Sequence, residues 1–280
     1  MNKNTETLSF SPINGAHAIT EMVVYIQFTP EFSPATIQRL VSLETELVAY
    51  FPKAIRIQQQ NVEFKAEGSK PKSNISEKLV GIELQDIDDS GNINWMLRTT
   101  ENSLSIHCLN YSVWEEVYKK IITYLLSAFH HLEGSGNFIA HVGLMFIDRF
   151  ICEVPPEEAC LSELFNENTD WVFNGAFKAE NKLWHSHVGW YEELKNYQCL
   201  NQLKTSASYA DIKGEKKLIV TVDHNAIITS ETNGKNFISY SAIDEDNLVI
   251  KETIKELHSM NKKVLRELLT VKMSSRINLN

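Results

Sequence analysis

One order of elements occurs twice along this 280-residue chain. Each pass reads as a strand, a helix, an antiparallel meander and a long amphipathic helix, the first over 19–132 and the second over 138–271. Apolar residues alternate where strands are read and recur every three to four residues where helices are read. The two halves share no residue-level repeat, so the duplication is one of element order alone. The expectation is an α+β fold, with antiparallel sheets and long helices on one face. It would form two lobes, 1–136 and 137–280, with a boundary near Gly134–Asn137, or merge into one continuous domain.

Local signals set the elements. Met22, Val24, Ile26 and Phe28 share one face of a strand that Thr29-Pro30 ends. Ser33-Pro34 has the form of an N-cap followed by proline in the first turn. Ile37, Leu40, Val41, Leu47, Val48 and Phe51 then make a helical stripe up to Pro52. A strand over 54–64 leads into the polar segment Lys65 to Ser76, which reads as a loop or flap. Strands over 78–84, 94–99 and 103–109 follow, with turns at Asp88-Asp89-Ser90-Gly91-Asn92 and Glu101-Asn102. Ser112-Val113-Trp114-Glu115 matches a capping box before the stripe Val113, Val117, Ile121, Tyr124, Leu125 and Ala128. Gly134-Ser135-Gly136 ends that helix. In the second half, a long strand over 138–152 stops at Pro155-Pro156, and a short helix is read over 157–165. Hairpins are marked at Gly214 and Asn233-Gly234. Ile250, Ile254, Leu257, Val264, Leu265 and Leu268 form the last helical stripe.

Composition excludes several classes. The formal charge of -9 and pI near 5.5 disfavour a nucleic-acid partner, since phosphate would meet a repulsive mean field. No run approaches the ~18 apolar residues of a membrane span. The polar start Met1-Asn2-Lys3-Asn4 lacks the apolar core of a signal peptide. Cys108, Cys152, Cys160 and Cys199 form no C-x-x-C pair, and the plain reading is scattered, reduced thiols. The chain is thus expected to be cytoplasmic, with no cofactor and no membrane association.

The residues with possible chemistry are few. His185 and His187, at i and i+2 of a strand, would point to one side and form the best local metal pair, lacking a third ligand. Glu153, Glu157, Glu158, Glu163, Glu167 and Asp170 make an acidic stretch without an intervening Lys or Arg. Acids near a helix start favour its dipole, and the functional alternative is contact with a basic partner through Glu157, Glu158 and Glu163. The last helix is basic, and Lys262, Lys263 and Arg266 are its candidates for meeting a phosphate backbone or an acidic protein. No phosphate-binding glycine loop, dinucleotide fingerprint or G-x-S-x-G is present, and no catalytic residue is assigned.

Residues 17–28, His-Ala-Ile-Thr-Glu-Met-Val-Val-Tyr-Ile-Gln-Phe, resemble the opening of a sporadically distributed family of uncharacterised bacterial accessory-gene proteins. Such members begin with Pro-Ile-x-Glu running into a strand. Two inner stretches, 109–115 and 141–149, and the last helix over 257–270 are similar to the same family. The chain departs from its pattern at Ala18 (usually Pro), Met145 (usually Arg) and Asp148 (usually Asn). The resemblance implies no activity and no catalytic residues, only an association with accessory loci such as phage defence or toxin–antitoxin systems. The leading expectation is therefore a non-enzymatic binding or regulatory protein whose partner is another protein. Two alternatives stand beside it. One is a nucleic-acid-binding or RNA-processing protein with ferredoxin-like units, with His185, His187 and the basic last helix as its candidates. The other is a small-molecule or nucleotide sensor with its ligand between sheet and helices.

Overall fold

The computed structural model describes residues 8–67, 70–179, 182–194, 197–212, 214–230 and 249–279. The first part of the chain runs β1 (Phe10–Pro12), β2 (Ile19–Thr29), α1 (Pro34–Val41), α2 (Leu43–Glu46), β3 (Lys53–Glu67), β4 (Lys70–Ile87), β5 (Ile93–Thr99), β6 (Ser103–Cys108) and α3 (Trp114–Leu132). The rest runs β7 (Phe138–Cys152), α4 (Asn174–Phe177), β8 (Trp184–Leu194), β9 (Tyr197–Ile212), β10 (Glu215–Thr229), α5 (Val249–Leu268) and α6 (Val271–Arg276). Two single 3₁₀ turns, Pro156–Glu158 and Leu161–Glu163, stand where one short helix is read from sequence.

The strands form one antiparallel sheet of ten, in the order β3-β4-β5-β6-β2-β7-β10-β9-β8, with β1 on β7. This corrects the expected α+β class with long helices as its defining layer. Strand accounts for 46% and helix for 29%, so the molecule is built on a large sheet. Long hairpins are the physical reason. β3 and β4 pair from Lys53↔Gln85 out to Glu67↔Lys70, through the segment 65–76 read as a loop. Backbone pairing satisfies the N–H and C=O groups that face the partner strand, and it requires no apolar alternation of the kind that flags a half-buried strand.

By contact density the chain divides into two compact units. Unit 1 comprises 1–23, 143–229 and 253–280, and unit 2 comprises 24–142 and 230–252.

In unit 2 the Ser33 hydroxyl caps α1 by accepting from the Thr36 N–H at 3.1 Å, as its sequence signals. The helix stops at Val41 rather than reaching Pro52, and Val48, read as part of its stripe, is 55% exposed. Ile37, Leu40 and Val41 of α1 and Ile121, Leu125 and Phe129 of α3 are buried over Ile82, Leu84, Leu97 and Ile106 of the sheet. Tyr124 closes this core edge-on to Trp95, with ring centroids 5.8 Å apart, and 4.8 Å from Phe51. The expected capping box does not form. Val113 is the N-cap of α3, and the Ser112 hydroxyl donates to Glu116 instead, at 2.9 Å. Glu115 and Glu116 in the first turn and His130 and His131 in the last still match the helix dipole.

In unit 1 a core of Phe10, Phe150, Phe165, Leu203, Leu218, Val220, Val264, Leu268 and Met273 joins the strands to α5 and α6. Thr270 ties this end together. Its hydroxyl accepts from the Met273 N–H to cap α6 and donates to the Glu163 carbonyl at 2.9 Å. Thr270→Ala is expected to lower stability by about 1 kcal/mol, the usual value of a lost cap. Denaturant titration with an unchanged midpoint would refute this. Among the described residues no helix is long and apolar enough to cross a membrane.

Candidate functional site

Unit 1 carries a small cleft, about 310 Å³ with the space open to solvent counted and about 20 Å³ where a water-sized molecule fits. One wall is the inward face of three strands: Trp184 of β8, Ala207 of β9, and Leu218 and Val220 of β10. Phe10 of β1 adds an aromatic ring. The opposite wall comes from the segment between β7 and β8, through Ala159, Leu161, Ala176 and Phe177. Lys182 is the one charged residue in the lining.

Local sequence explains the shape. The wall strands alternate, so Cys199, Asn201, Leu203, Thr205 and Ala207 are buried while Lys204 is exposed. Small residues stand at three lining positions, Ala159, Ala176 and Ala207, all buried, and these leave the space that larger side chains would fill. The opposite wall is held by hydrogen bonds to β1 and to Ser9 just before it. Glu153 accepts from the Ser11 hydroxyl and Glu163 from the Ser9 N–H. Part of the acidic stretch therefore braces this wall, while Glu157 and Glu158 lie exposed on the first 3₁₀ turn.

Lys182 has a left-handed backbone, with φ of 58°, uncommon for a residue with a side chain. Its ammonium donates to the Ala159 carbonyl at 3.2 Å, and among the described residues it makes no ion pair. The lysine is partly buried, and the Ala159 carbonyl is the acceptor that its ammonium meets among the described residues.

Further along the same inward face lies a buried polar network. His224 of β10 is 1% exposed. Its Nδ1 is 3.0 Å from Asn261 Nδ2 of α5, and its Nε2 is 3.1 Å from Asn201 Oδ1 of β9. An amide NH₂ can only donate, so Nδ1 is the bare nitrogen and Nε2–H donates to Asn201. Burial, against a smaller opposing pull from Glu192, lowers the His224 pKa to about 4 and keeps the ring neutral. Trp190 stacks on the network, with its centroid 6.2 Å from His224 and 4.1 Å from Trp171. The Trp190 indole N–H donates to Glu192 at 2.9 Å, and Lys263 reaches the same carboxylate at 3.3 Å. The Trp190 bond, more than Lys263, holds the Glu192 carboxyl below its ordinary range. Asn201 Nδ2 and Thr205 Oγ1 are buried with no hydrogen-bond partner among the described residues. Thr205 stands two residues before Ala207 on the cleft face of β9.

The structure distributes the residues singled out from sequence. His185 and His187 share the exposed face of β8, the end strand of the sheet, as i and i+2 positions must. Among the described residues no three His, Cys, Asp or Glu side chains gather in metal-binding geometry. Lys263 is tied to Glu192, and Arg266 donates to the Leu279 carbonyl at 3.0 Å. Lys262 is partly buried, and its charge acts on His258. Cys108, Cys152 and Cys199 are buried and Cys160 is exposed. Burial above all pushes the Cys108 and Cys199 thiols up to about 12, so neither supplies a thiolate at neutral pH. The Asn233-Gly234 hairpin lies outside the described residues.

Sequence reading missed both Lys182 and the His224 network. The histidine had a signal: it stands in the inward series Val220, Val222, His224, Ala226 and Ile228. Lys182 had none, because its place depends on the meeting of distant segments.

Neither a family model nor a curated protein matches this chain. Among solved structures it is similar to the di-domain ARO/CYC StfQ from the steffimycin biosynthetic pathway. The identity is 8%, over 86% of this chain and 95% of that one, with a TM-score of 0.19. A likeness at that score carries no argument about fold or activity.

Proposed function

We propose that this is a non-enzymatic binding protein and that the cleft of unit 1 is its ligand site. The observation that carries the reading is an apolar cleft between a sheet face and a braced segment, with a cation at its lining. Most of its roughly 310 Å³ is open to solvent, and a water-sized molecule has about 20 Å³ of it, room for about one. It receives the tip of a ligand or of a partner's side chain.

The test is thermal stabilisation of the full chain by a panel of compact apolar compounds, neutral and charged. A ligand of the native state raises its stability by mass action, about 2.7 kcal/mol at a hundredfold excess over Kd. At least one compound is expected to shift the melting temperature, and Ala207→Leu, which fills the cleft, is expected to remove that shift. A panel without any shift, or a shift that survives Ala207→Leu, would overturn the proposal.

A further inference from the structure

We infer that the outer edge of β8 pairs with the same edge of a second copy of this chain, antiparallel about Gly189. β8 is an end strand of the sheet. It pairs with β9 from Trp184↔Ala207 to Leu194↔Tyr197, and among the described residues its other edge makes no backbone hydrogen bond. An open edge presents N–H and C=O groups to any strand that can pair with them, and proteins guard such edges with lysine, proline or bulges. The strand at the other end of the order is guarded in this way. β3 carries Lys53 and Arg56, and its register shifts between Ile57 and Gln58. β8 reads Trp-His-Ser-His-Val-Gly-Trp-Tyr-Glu-Glu-Leu, with no lysine, no proline and no register shift.

Self-complementarity selects the occupant. The antiparallel register that overlaps the whole of β8 with its own copy sets Gly189 against Gly189. Residues directly opposite in such a pair share a face of the sheet. On the exposed face His185 then stands opposite Glu193 and His187 opposite Tyr191, each twice by symmetry. Imidazole and carboxylate meet as hydrogen-bonding partners, and the Tyr191 ring, 68% exposed in the single chain, gains a neighbour. On the other face Trp184, Val188 and Trp190 are partly buried, whereas Leu203 and Ala207 of the adjoining β9 are buried. The same register sets Val188 opposite Trp190 and Trp184 opposite Leu194, which covers that apolar surface.

Sedimentation velocity of the full chain is expected to show a monomer–dimer equilibrium across roughly 1–300 µM, since one strand pair makes a small interface. Gly189→Cys locates the axis, in a Cys160→Ser background because Cys160 is exposed. Opposite Cα atoms of an antiparallel pair lie about 4.5–5.5 Å apart, within the span of a disulfide, so mild oxidation is expected to cross-link this variant as a dimer. A Cβ at Gly189 would meet only the Asn201 carbonyl oxygen, at 3.6 Å, so the strand accepts it. Glu193→Lys is expected to weaken dimerisation about tenfold, and adding His185→Glu to restore it by exchanging the two partners. A melting curve on each variant confirms that it is folded. A monomer at every concentration would overturn the proposal. So would a dimer that Gly189→Cys does not cross-link, or one that Glu193→Lys leaves unchanged, since either places the contact on another surface.

Discussion

Gly81→Ala is expected to destabilise unit 2 by about 2–4 kcal/mol, more than other single methyl additions in the sheet. A Cβ at Gly81 of β4 would lie 2.0 Å from the Thr99 carbonyl oxygen and 2.7 Å from its carbon. Both are backbone atoms of β5, so no rotamer change relieves the clash. The strand pair is already tight there: the Thr99 hydroxyl accepts from the Ile82 N–H at 3.1 Å. Thr99 is 1% exposed, which leaves the neighbouring strand no free side to move into. Gly189→Ala on β8 is the control. The added methyl would meet only Asn201 O, at 3.6 Å, an ordinary contact. Chemical denaturation should show a large drop for the first variant and less than ~0.5 kcal/mol for the second. Equal effects would refute the clash.

Acidification is expected to weaken unit 1 between about pH 6.5 and pH 4. Burial lowers His224 to about 4, against a smaller raising effect of Glu192, and lowers His258 to about 4, assisted by Lys262. Both start from an ordinary value of 6.5, so the unfolded chain binds two more protons across that window. Stability is then complete above 6.5 and is lost as pH falls toward 4. Asp148 on β7 works in the opposite direction. It is 2% exposed, and burial raises its pKa from 3.8 to about 7. The folded state therefore holds the extra proton, and this contribution grows as pH falls from 7 to 4. Two histidines against one aspartate leave a net slope near one proton, at most about 1.4 kcal/mol per pH unit.

Asp148→Asn removes the opposing group. It is expected to raise stability at pH 7 by roughly 1–3 kcal/mol, because no buried carboxyl then resists ionisation. It should also steepen the acid decline toward two protons per pH unit. Urea unfolding at pH 7 and pH 5 tests both claims. An Asn variant that is less stable at pH 7, or has an unchanged slope, would refute them.

These buried groups show where sequence was legible. The Ser33-Pro34 start of α1 was readable because a cap is local, and its hydroxyl bond to Thr36 is present. The Asp88 turn was readable for the same reason, with its carboxylate accepting from the Ser90 and Asn92 N–H groups at 2.9 Å. The length of β3 and β4 was not. Their outer halves are polar, and backbone pairing of the kind Lys65↔Lys72 leaves no period in the side chains. The cleft was hidden more deeply, since Phe10, Ala159, Ala176, Lys182, Ala207 and Leu218 come from separate stretches of chain. No window of local periodicity contains two walls of such a site. The class was misjudged for a related reason. Two long amphipathic helices stand out in any hydropathy reading, while the sheet spreads its signal thinly over ten strands.

The interleaving of the two units governs the order in which this protein is made. Unit 1 needs residues 1–23, then 143–229, then 253–280, while unit 2 is nearly whole by residue 142 and is finished by 252. On the ribosome, Phe10 and its neighbours must wait for Val264 and Leu268, some 250 residues of synthesis later, before their shared core can close. At ~5–20 residues per second that wait lasts about 10–50 seconds. Until then the segment around Phe10 has strand partners such as Phe150 and Leu218 and lacks the helical part of its core, an interval open to chaperones.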